Sequence, residues 1–156
     1  MITIDIPGWG QLTVAHLVLD FNGTLAVDGR LLPQVPETLN RLADQLAIHV
    51  LTADTFGTVR AAMAGVRCTV DILPPGQQDL AKRDFVRQLG AEQCVAVGNG
   101  RNDALMLQEA ALGIVLLQEE GTAVTTLTAA DVVCRTIQEA LALLANPRRL
   151  VATLRS

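Results

Sequence analysis

Three polar side chains each follow directly on an apolar, strand-like run. Asp20 follows His-Leu-Val-Leu, Thr52 follows Ile-His-Val-Leu, and Asn99 follows Cys-Val-Ala-Val-Gly. Ligands of an open parallel sheet bind beyond the carboxyl ends of its strands, so polar groups at several strand ends indicate a site. A carboxylate, a hydroxyl and an amide at one edge could supply a nucleophile together with ligands for an anionic group.

The segment at residues 20–24, Asp-Phe-Asn-Gly-Thr, is the most informative of these strand ends. Its carboxylate would stand on a tight turn, and we expect the N–H groups of that turn to face anionic oxygens. The competing interpretation is an ordinary Asx-type turn, which also gathers Asp, Asn and Gly. Other segments of the chain are needed to distinguish a nucleophile on a turn from an ordinary Asx-type turn.

Short runs rich in Val and Ile alternate with longer segments in which apolar residues recur at helical spacing. The predicted strands are 1–6, 12–19, 48–51, 68–73, 94–97, 113–117 and 131–134, with a turn at 7–10. The predicted helices are 34–46, 58–64, 78–89, 102–110, 122–128 and 137–154, the last of them broken or kinked at Pro147. This alternation predicts an α/β fold with a doubly wound parallel sheet, an N-terminal β-hairpin and a single domain over residues 1–156.

The formal net charge is −4, which argues against a nucleic-acid partner because such partners need a basic surface. Half of the residues are hydrophobic but only 3% are aromatic, so the core has to be built from Leu, Val, Ile and Ala. The cysteines lack metal-ligand spacing and fall in apolar runs, so we expect buried, reduced thiols and a cytoplasmic location. No apolar run is long enough to span a bilayer, so no membrane partner is expected.

Four segments, in order, resemble the motifs of the haloacid dehalogenase superfamily. Residues 20–24 resemble the first motif, usually Asp-x-Asp-Gly-Thr, and residues 98–103 resemble the fourth, usually Gly-Asp-Gly-x-Asn-Asp. Thr52 matches the second motif and Lys82 the third. From Lys82 to about residue 133 the chain is also similar to the phosphorylation domain of P-type transport ATPases. The resemblance covers most of the chain after residue 12 and implies a haloacid dehalogenase-like Rossmannoid fold.

Lys82 has support from the sequence itself. It is the only lysine, beside eleven arginines, and it falls at the start of the predicted helix before the fourth-motif strand. A single lysine is usually a solvated surface residue, but its compact ammonium also suits a point contact with phosphate and carboxylate. In this context a functional role is the preferred interpretation.

The resemblance implies a phosphoric monoester hydrolase or phosphotransferase that works through an aspartyl-phosphate. Asp20 would be the nucleophile, and Thr52 and Lys82 would hold the phosphoryl oxygens. Mg²⁺ is the implied cofactor, and a phosphorylated small molecule or macromolecule is the implied partner. The implied metal ligands are Asp20, the backbone carbonyl of Asn22, Asn99 and Asp103. The implied phosphate ligands are Thr24, Thr52, Ala53, Lys82 and Asn102.

Two positions depart from the family pattern. Asn22 stands at a catalytic position where phosphatases of the family have an Asp that acts as general acid and base, and an amide can do neither. Asn99 stands where the family has a metal-binding carboxylate, so weaker binding of Mg²⁺ is expected. Both Asn residues precede Gly, and Asn-Gly pairs tend to deamidate, so one hypothesis is that part of the protein carries Asp at these positions. A deliberate replacement of Asp by Asn is a further explanation of the departures. Because the amides lack the acid–base and metal-binding roles of Asp, slow turnover is expected.

The spacing between the motifs leaves no room for a cap domain. Thr52 lies 32 positions after Asp20, and Lys82 lies 30 positions after Thr52, and one helix-containing crossover uses up each interval. Only residues 25–32 are free, and an Asp-Gly pair within them predicts a tight hairpin turn in a short flap. An open site suits a large substrate, or a neighbouring subunit that acts as the lid of a homo-oligomer.

The preferred hypothesis is thus a Mg²⁺-dependent phosphatase or phosphotransferase of reduced rate. The alternative is a catalytically impaired relative that binds phosphate, a nucleotide or a partner protein. Dehalogenation is the third hypothesis, but it requires an enclosed apolar pocket that a chain without a cap does not provide. An intact P-type ATPase is not expected, because no membrane segments are present.

Overall fold

The structure, a computed structural model, describes residues 1–54 and 57–156. The strands are β1 (Ile2–Ile6), β2 (Gly10–Val14), β3 (His16–Asp20), β4 (Ala26–Val27), β5 (Arg30–Leu31), β6 (Ala47–Thr52), β7 (Thr69–Ile72), β8 (Cys94–Gly98), β9 (Leu112–Leu116) and β10 (Val132–Cys134). The helices are α1 (Val35–Leu42), α2 (Thr58–Ala62), α3 (Gln78–Leu89), α4 (Ala104–Glu109), α5 (Val124–Ala129), α6 (Ile137–Ala145) and α7 (Pro147–Leu154). Short 3₁₀ turns cover Ala91–Gln93 and Arg101–Asp103.

Among the described residues, six strands form one parallel sheet in the order β10-β9-β8-β3-β6-β7. Strand β3 lies near the middle, between β6 and β8, and is almost entirely buried. A parallel sheet has to be covered on both faces by helices, which explains the near-continuous apolar runs of its strands. The predicted α/β fold is confirmed.

Two apolar clusters fill the space between the sheet and its helices. Leu17 and Leu19 of β3 face the cluster shared with α1, α2 and α6, whereas Val18 faces the cluster shared with α3 and α4. Because successive side chains of a strand point to opposite faces, Asp20 shares the face of Val18, which α3 covers. Strand β3 thus delivers Asp20 to the carboxyl edge of the sheet, beside α3.

The predicted N-terminal hairpin is confirmed, but the predicted strand 12–19 is wrong, since this segment forms two strands. β2 pairs antiparallel with β1, and the chain then enters the parallel sheet as β3. At the junction, Ala15 donates its N–H to Gln93 and accepts the N–H of Ala47. Apolar residues lie on both sides of this junction, so hydrophobicity alone does not show where the pairing partners change.

Most predicted helices are confirmed with shifted ends. Helix α3 covers the predicted residues, and Gly90 follows it with a φ of 94°. The predicted helix 34–46 ends already at Leu42. The last predicted helix is divided at Pro147 into α6 and α7, because proline cannot donate the helical hydrogen bond. No helix within the described ranges combines the length and hydropathy needed to cross a membrane.

Residues 25–32 form the predicted short flap. Strands β4 and β5 pair antiparallel, and Asp28 and Gly29 between them have φ values of 51° and 74°, as a two-residue hairpin turn requires. In the part of the chain that the structure describes, no cap domain is inserted between Asp20 and Lys82, in agreement with the motif spacing. Within the described ranges, this short flap therefore stands after β3 in place of a cap domain.

Candidate active site

A buried lysine joins two carboxylates at the carboxyl edge of β3. Lys82 Nζ donates to Asp20 Oδ1 over 2.7 Å and to Asp103 Oδ1 over 2.6 Å. Asp20 ends β3, Lys82 projects from α3, and Asp103 ends the 3₁₀ turn of the fourth motif. Three of the predicted site residues thus form one cluster, which we call the charged cluster.

The position of Lys82 follows from the packing of α3. Val86, one helical turn later, is fully buried against the sheet, and side chains four positions apart share a helix face. Lys82 therefore points to the sheet as well, and only 1% of it is exposed. A buried ammonium is costly unless carboxylates pair with it, and here Asp20 and Asp103 do so.

Asp103 also fixes the turn of the fourth motif. Its Oδ2 accepts the backbone N–H groups of Asn99 and Gly100 over 3.0 and 2.9 Å. The packing is close at Gly98, where a Cβ atom would lie 2.5 Å from Asp103 Cγ, so only glycine fits. Both oxygens of Asp103 are thus engaged, one by the lysine and one by the turn.

The charged cluster holds two carboxylates for one lysine. Burial, together with the Asp103 carboxylate and against the effect of Lys82, raises the pKa of Asp20 to about 7. Burial acts to lower the pKa of Lys82, but Asp20 and Asp103 outweigh it, so this pKa lies above its ordinary value. The lysine stays charged, and a further cation beside Asp20 would relieve the excess of negative charge.

Thr24 and Asn99 extend the cluster on the second oxygen of Asp20. Thr24 Oγ1 lies 3.3 Å from Asp20 Oδ2 and 3.4 Å from Asn99 Oδ1, and its one proton can serve either acceptor. Asn99 Nδ2 donates to the carbonyl of Gly121 over 2.9 Å. This bond defines the orientation of the amide, because a carbonyl oxygen can only accept.

The expectation that the first-motif turn offers its N–H groups to anionic oxygens is wrong for residues 23–26. These N–H groups all donate within the turn, Gly23 to Ala26 and the next three residues, Thr24, Leu25 and Ala26, to Phe21. Thr24 is also fully buried. The turn closes on itself, so Thr24 is placed to position Asp20 and is not open to a ligand.

Thr52, Ala53 and Asn22 flank the charged cluster, at the end of β6 and on the first-motif turn. Thr52 is buried, and its Oγ1 accepts the N–H of Asp54 over 3.1 Å, which leaves the hydroxyl proton for another acceptor. Asn22 is exposed and lines a cavity of about 310 Å³ together with Ala53. Within the described ranges, none of these three residues is hydrogen-bonded to the charged cluster.

Asn102 is placed differently from the other fourth-motif residues. Its Nδ2 donates to Gln78 Oε1 over 3.0 Å, which ties the turn to the first residue of α3. Both side chains line a second cavity, of about 530 Å³, with Arg101 in its wall. The structure therefore sets Asn102 between α3 and the turn, outside the charged cluster.

Gln118 is a site residue that the sequence interpretation missed. It follows β9 by two positions, and its Nε2 donates to the carbonyls of Gly23 and Thr24, each over 2.9 Å. The available signal was the strand-end rule, since Gln118 is a polar residue just beyond an apolar strand.

The ligands implied for Mg²⁺ are brought together in part. Asp20 Oδ2 and Asn99 Oδ1 converge on Thr24 Oγ1, and both are hard oxygen donors of the kind that Mg²⁺ binds. Lys82 and two N–H groups occupy the oxygens of Asp103. Among the described side chains, no three of His, Cys, Asp or Glu form a group that could hold a metal. In donor type, the oxygens of Asp20 and Asn99 fit a hard cation.

Solved structures share this arrangement of strands and helices. The 3-deoxy-D-manno-octulosonate 8-phosphate phosphatase of Moraxella catarrhalis, in complex with magnesium, phosphate and KDO, matches with a TM-score of 0.71 at 16% identity, over 91% of this chain and 94% of that one. A Legionella pneumophila structure described as a HAD superfamily hydrolase of subfamily III A matches with 0.71 at 17% identity, over 90% and 86%. The chain has the haloacid dehalogenase fold.

A third haloacid dehalogenase-type match is the cobalt-bound deoxy-D-mannose-octulosonate 8-phosphate phosphatase of Haemophilus influenzae. Its TM-score is 0.72 at 15% identity, over 92% of this chain and 94% of that one. At these identities the likeness is one of fold, which confirms the resemblance predicted from the motifs at that level.

A relative in sequence is an uncharacterized protein of Methanocaldococcus jannaschii. It is 39% identical over 84 residues, which make up 51% of this chain and 90% of that protein. The chain belongs to the same family as this archaeal protein. A scan against profiles of known protein families gives no match.

Proposed function

We propose that this protein is a phosphatase or phosphotransferase that forms an aspartyl-phosphate on Asp20. The observation that carries the proposal is the Lys82 ammonium, which is buried between Asp20 and Asp103 at the carboxyl edge of a haloacid dehalogenase fold. A preorganised positive charge beside a nucleophile lowers the barrier for attack on an anionic phosphoryl group. Two solved structures with this fold are named as phosphatases, which supports the same chemistry.

The proposed reaction has two steps. An oxygen of Asp20 attacks phosphorus, the bond to the leaving oxygen breaks, and the leaving alcohol takes a proton from water. Water then attacks the phosphorus of the acyl phosphate, which releases inorganic phosphate and restores the carboxylate. Lys82 balances negative charge in both steps, and the Thr52 hydroxyl and the Ala53 N–H are the proposed ligands of the phosphoryl oxygens.

Asn22 makes both steps slow in this proposal. The amide cannot give a proton to the leaving oxygen or take one from the attacking water, and such help is worth about 10²–10⁴-fold in rate. The exposed position of Asn22 leaves water to do this work. A long-lived aspartyl-phosphate, as the similarity to transport ATPases also implies, is the expected result.

Mg²⁺ is the proposed cofactor, held by Asp20, the backbone carbonyl of Asn22 and Asn99. When bound, it would add the positive charge that shields phosphoryl oxygens from the nucleophile. Asp103 acts indirectly, because it holds Lys82 and the fourth-motif turn in place. With a neutral amide at residue 99, we expect weaker Mg²⁺ binding than a carboxylate would give.

We further propose that the partner of this protein is a phosphorylated substrate and not nucleic acid or a membrane. We also propose that the protein works in a reducing compartment such as the cytoplasm. Cys94 and Cys134 are buried free thiols, and burial raises the pKa of each to about 11. Thiols of this kind are unreactive structural residues. The flap leaves the site open enough for a neighbouring subunit to cover it, which is why a homo-oligomer stays part of the proposal.

The proposal is tested by release of phosphate from p-nitrophenyl phosphate and acetyl phosphate, with and without Mg²⁺. We expect slow, Mg²⁺-stimulated release that is lost in Asp20→Asn. Asp44→Asn is the matched control, because Asp44 forms an exposed ion pair with Arg67 on the surface. Equal release by the Asp20→Asn variant would contradict the proposal.

The second candidate is a catalytically impaired protein that binds phosphate without turning it over. The amides at Asn22 and Asn99 favour it, since both replace carboxylates of the resembled motifs. Titration calorimetry with inorganic phosphate separates the two candidates. Binding without any release of phosphate from either ester would favour the second.

A further inference from the structure

The loop between β9 and α5, residues 117–123, contacts the first-motif turn through one side chain. Gln118 Nε2 donates to the carbonyls of Gly23 and Thr24, and Gln118 Oε1 accepts the N–H of Ile137, the first residue of α6, over 2.8 Å. These partners fix the amide, because the opposite orientation would set its oxygen against two carbonyl oxygens. Gln118 thus joins the loop, the first-motif turn and α6.

The other end of the loop is held by Asn99. Asn99 Nδ2 donates to the Gly121 carbonyl over 2.9 Å, and the N–H of Ala123 donates to the Asn99 carbonyl over 3.0 Å. Within the loop, the N–H of Gly121 donates to the carbonyl of Gln118 over 3.0 Å and closes a four-residue turn. Hydrogen bonds therefore connect Gln118 to Gly121, and Gly121 to the amide of Asn99, without a break.

We propose that the 117–123 loop is a positioning device that holds the first-motif turn and Asn99 in a fixed relation, with Gln118 as its main positioning residue. The turn carries Thr24, whose hydroxyl lies between Asp20 Oδ2 and Asn99 Oδ1. The relation between the two ends of the loop therefore sets the geometry around the nucleophile. The catalytic consequence rests on the function proposed above, whereas the coupling through the loop does not.

The same loop explains why an amide suits position 99 in this chain. A carboxylate there would set an oxygen against the Gly121 carbonyl, at the place where Asn99 Nδ2 now donates over 2.9 Å. Two acceptors cannot bond to each other, and the carbonyl would lose the Asn99 donor. Asn99 thus has a role of its own, which is to anchor the loop.

Three variants test the positioning role. Gln118→Leu removes all three side-chain bonds, whereas Gln118→Glu keeps an acceptor for Ile137 and sets a carboxylate oxygen against the two carbonyls of the first-motif turn. Gln138→Leu is the matched control, because Gln138 also donates to a distant backbone carbonyl, that of Pro33, without touching either motif. Gln118→Glu keeps the test informative even where Gln118→Leu fails to fold.

Amide hydrogen exchange by NMR reads the coupling without any need for turnover. In Gln118→Glu we expect exchange to rise about tenfold or more at Gly23 and Ala26 in the turn, and also at Ala123, whose partner is Asn99. The control should leave these three amides unchanged. A purely local role of Gln118 predicts changes at Gly23 and Ala26 but none at Ala123, and that result would overturn the proposal.

Kinetics with p-nitrophenyl phosphate then reads the catalytic consequence. Misplacement of reacting groups by about 1 Å can cost about 10²-fold, so we expect kcat to fall about 10- to 100-fold in Gln118→Glu with a smaller change in KM. Absence of turnover in the unmodified protein would count against the proposed function, while the exchange at Ala123 would still decide the coupling. Unchanged exchange and unchanged kcat in Gln118→Glu would overturn the positioning role itself.

Discussion

The two Asn-Gly pairs of the chain have the same sequence signature and opposite surroundings. Asn22 is exposed at the mouth of a cavity. Asn99 is 7% exposed, and its amide anchors the loop through Gly121 while its oxygen faces Thr24. We call the buried surroundings of Asn99 and Lys82 the inner wall of the site, and the exposed position of Asn22 its rim. The comparison teaches that hydrogen-bond partners fix the amide at the inner wall, whereas the amide at the rim is exposed to solvent.

Deamidation separates the two pairs as well. In this reaction the backbone nitrogen of the glycine attacks the side-chain carbonyl of the asparagine, and ammonia leaves. At Asn99 the N–H of Gly100 is held by Asp103 and the amide nitrogen by Gly121, so both reacting groups are engaged. In the first pair the N–H of Gly23 is held as well, by the Ala26 carbonyl, so the two pairs differ in the asparagine side chain, which is exposed at Asn22.

The largest loss of stability is expected for Lys82→Met at the inner wall. It leaves two buried carboxylates without a cation, and breaking such a pair costs about 3–5 kcal/mol in the free energy of unfolding. Arg83→Met is the matched control, because Arg83 pairs with Asp84 near the surface and should cost less than about 1 kcal/mol. Denaturant unfolding of both variants measures the difference. Equal losses would remove the distinction between inner wall and rim.

A smaller loss, of about 2–3 kcal/mol, is expected for Asn99→Asp without added metal. The Gly121 carbonyl loses its donor and faces a carboxylate oxygen instead. Mg²⁺ should restore part of the loss, because a carboxylate at residue 99 binds a hard cation better than an amide does. The measurement is denaturant unfolding in EDTA and in Mg²⁺. A variant more stable than the unmodified protein in EDTA would show that the amide is not matched to its loop.

A gain in stability is expected for Asp20→Asn, and the gain should depend on pH. The pKa of Asp20 is about 7 in the folded protein against an ordinary value of 3.8, so the folded state binds this proton more tightly. Protonation of Asp20 therefore stabilises the folded state fully below pH 3.8, and this stabilisation is lost as the pH rises through about 7. At pH 8 the variant should unfold with about 1–2 kcal/mol more free energy, a gain that shrinks toward pH 5. Denaturant unfolding at both pH values checks this, and a variant less stable at pH 8 would contradict it.

The smallest change in stability is expected for Asn22→Asp at the rim. An exposed substitution of this kind usually stays within about 0.5 kcal/mol. Its effect should appear in the chemistry instead, since a carboxylate there could act as acid and base and speed phosphate release by about 10²-fold or more. Parallel unfolding and release assays measure the two effects. A destabilisation as large as that of Asn99→Asp would show that the rim is as constrained as the inner wall.

Local signals were enough to predict much of the fold and the centre of the site. Helix α3 has the predicted bounds, because the Pro-Pro-Gly before it and Gly90 after it set both ends. The face of that helix then follows from its periodicity, which brings Lys82 to Asp20. The motif order therefore placed Asp20, Lys82 and Asp103 in one site, although it predicted phosphate as the partner of Lys82 and a metal as the partner of Asp103.

Partners that are distant in sequence could not be predicted in the same way. Gln118 contacts residues 94 and 95 positions earlier, and no local pattern encodes the pairing. The split of the predicted strand at Ala15 was hidden for a related reason, since apolar residues lie on both sides of it and the change of pairing partners involves distant segments. The role of Asn99 could not be predicted from its residue type either, because it depends on the contact of its amide with Gly121.

The most direct test of the central claim is to trap the phosphorylated protein. After acid quenching of the protein with acetyl phosphate and Mg²⁺, intact-mass and peptide measurements should show one added phosphoryl group on the peptide that contains Asp20. The modification should be released by hydroxylamine, as an acyl phosphate is, and be absent from Asp20→Asn. Phosphate release that depends on Asp20 without any trapped adduct, or an adduct on another residue, would contradict the account.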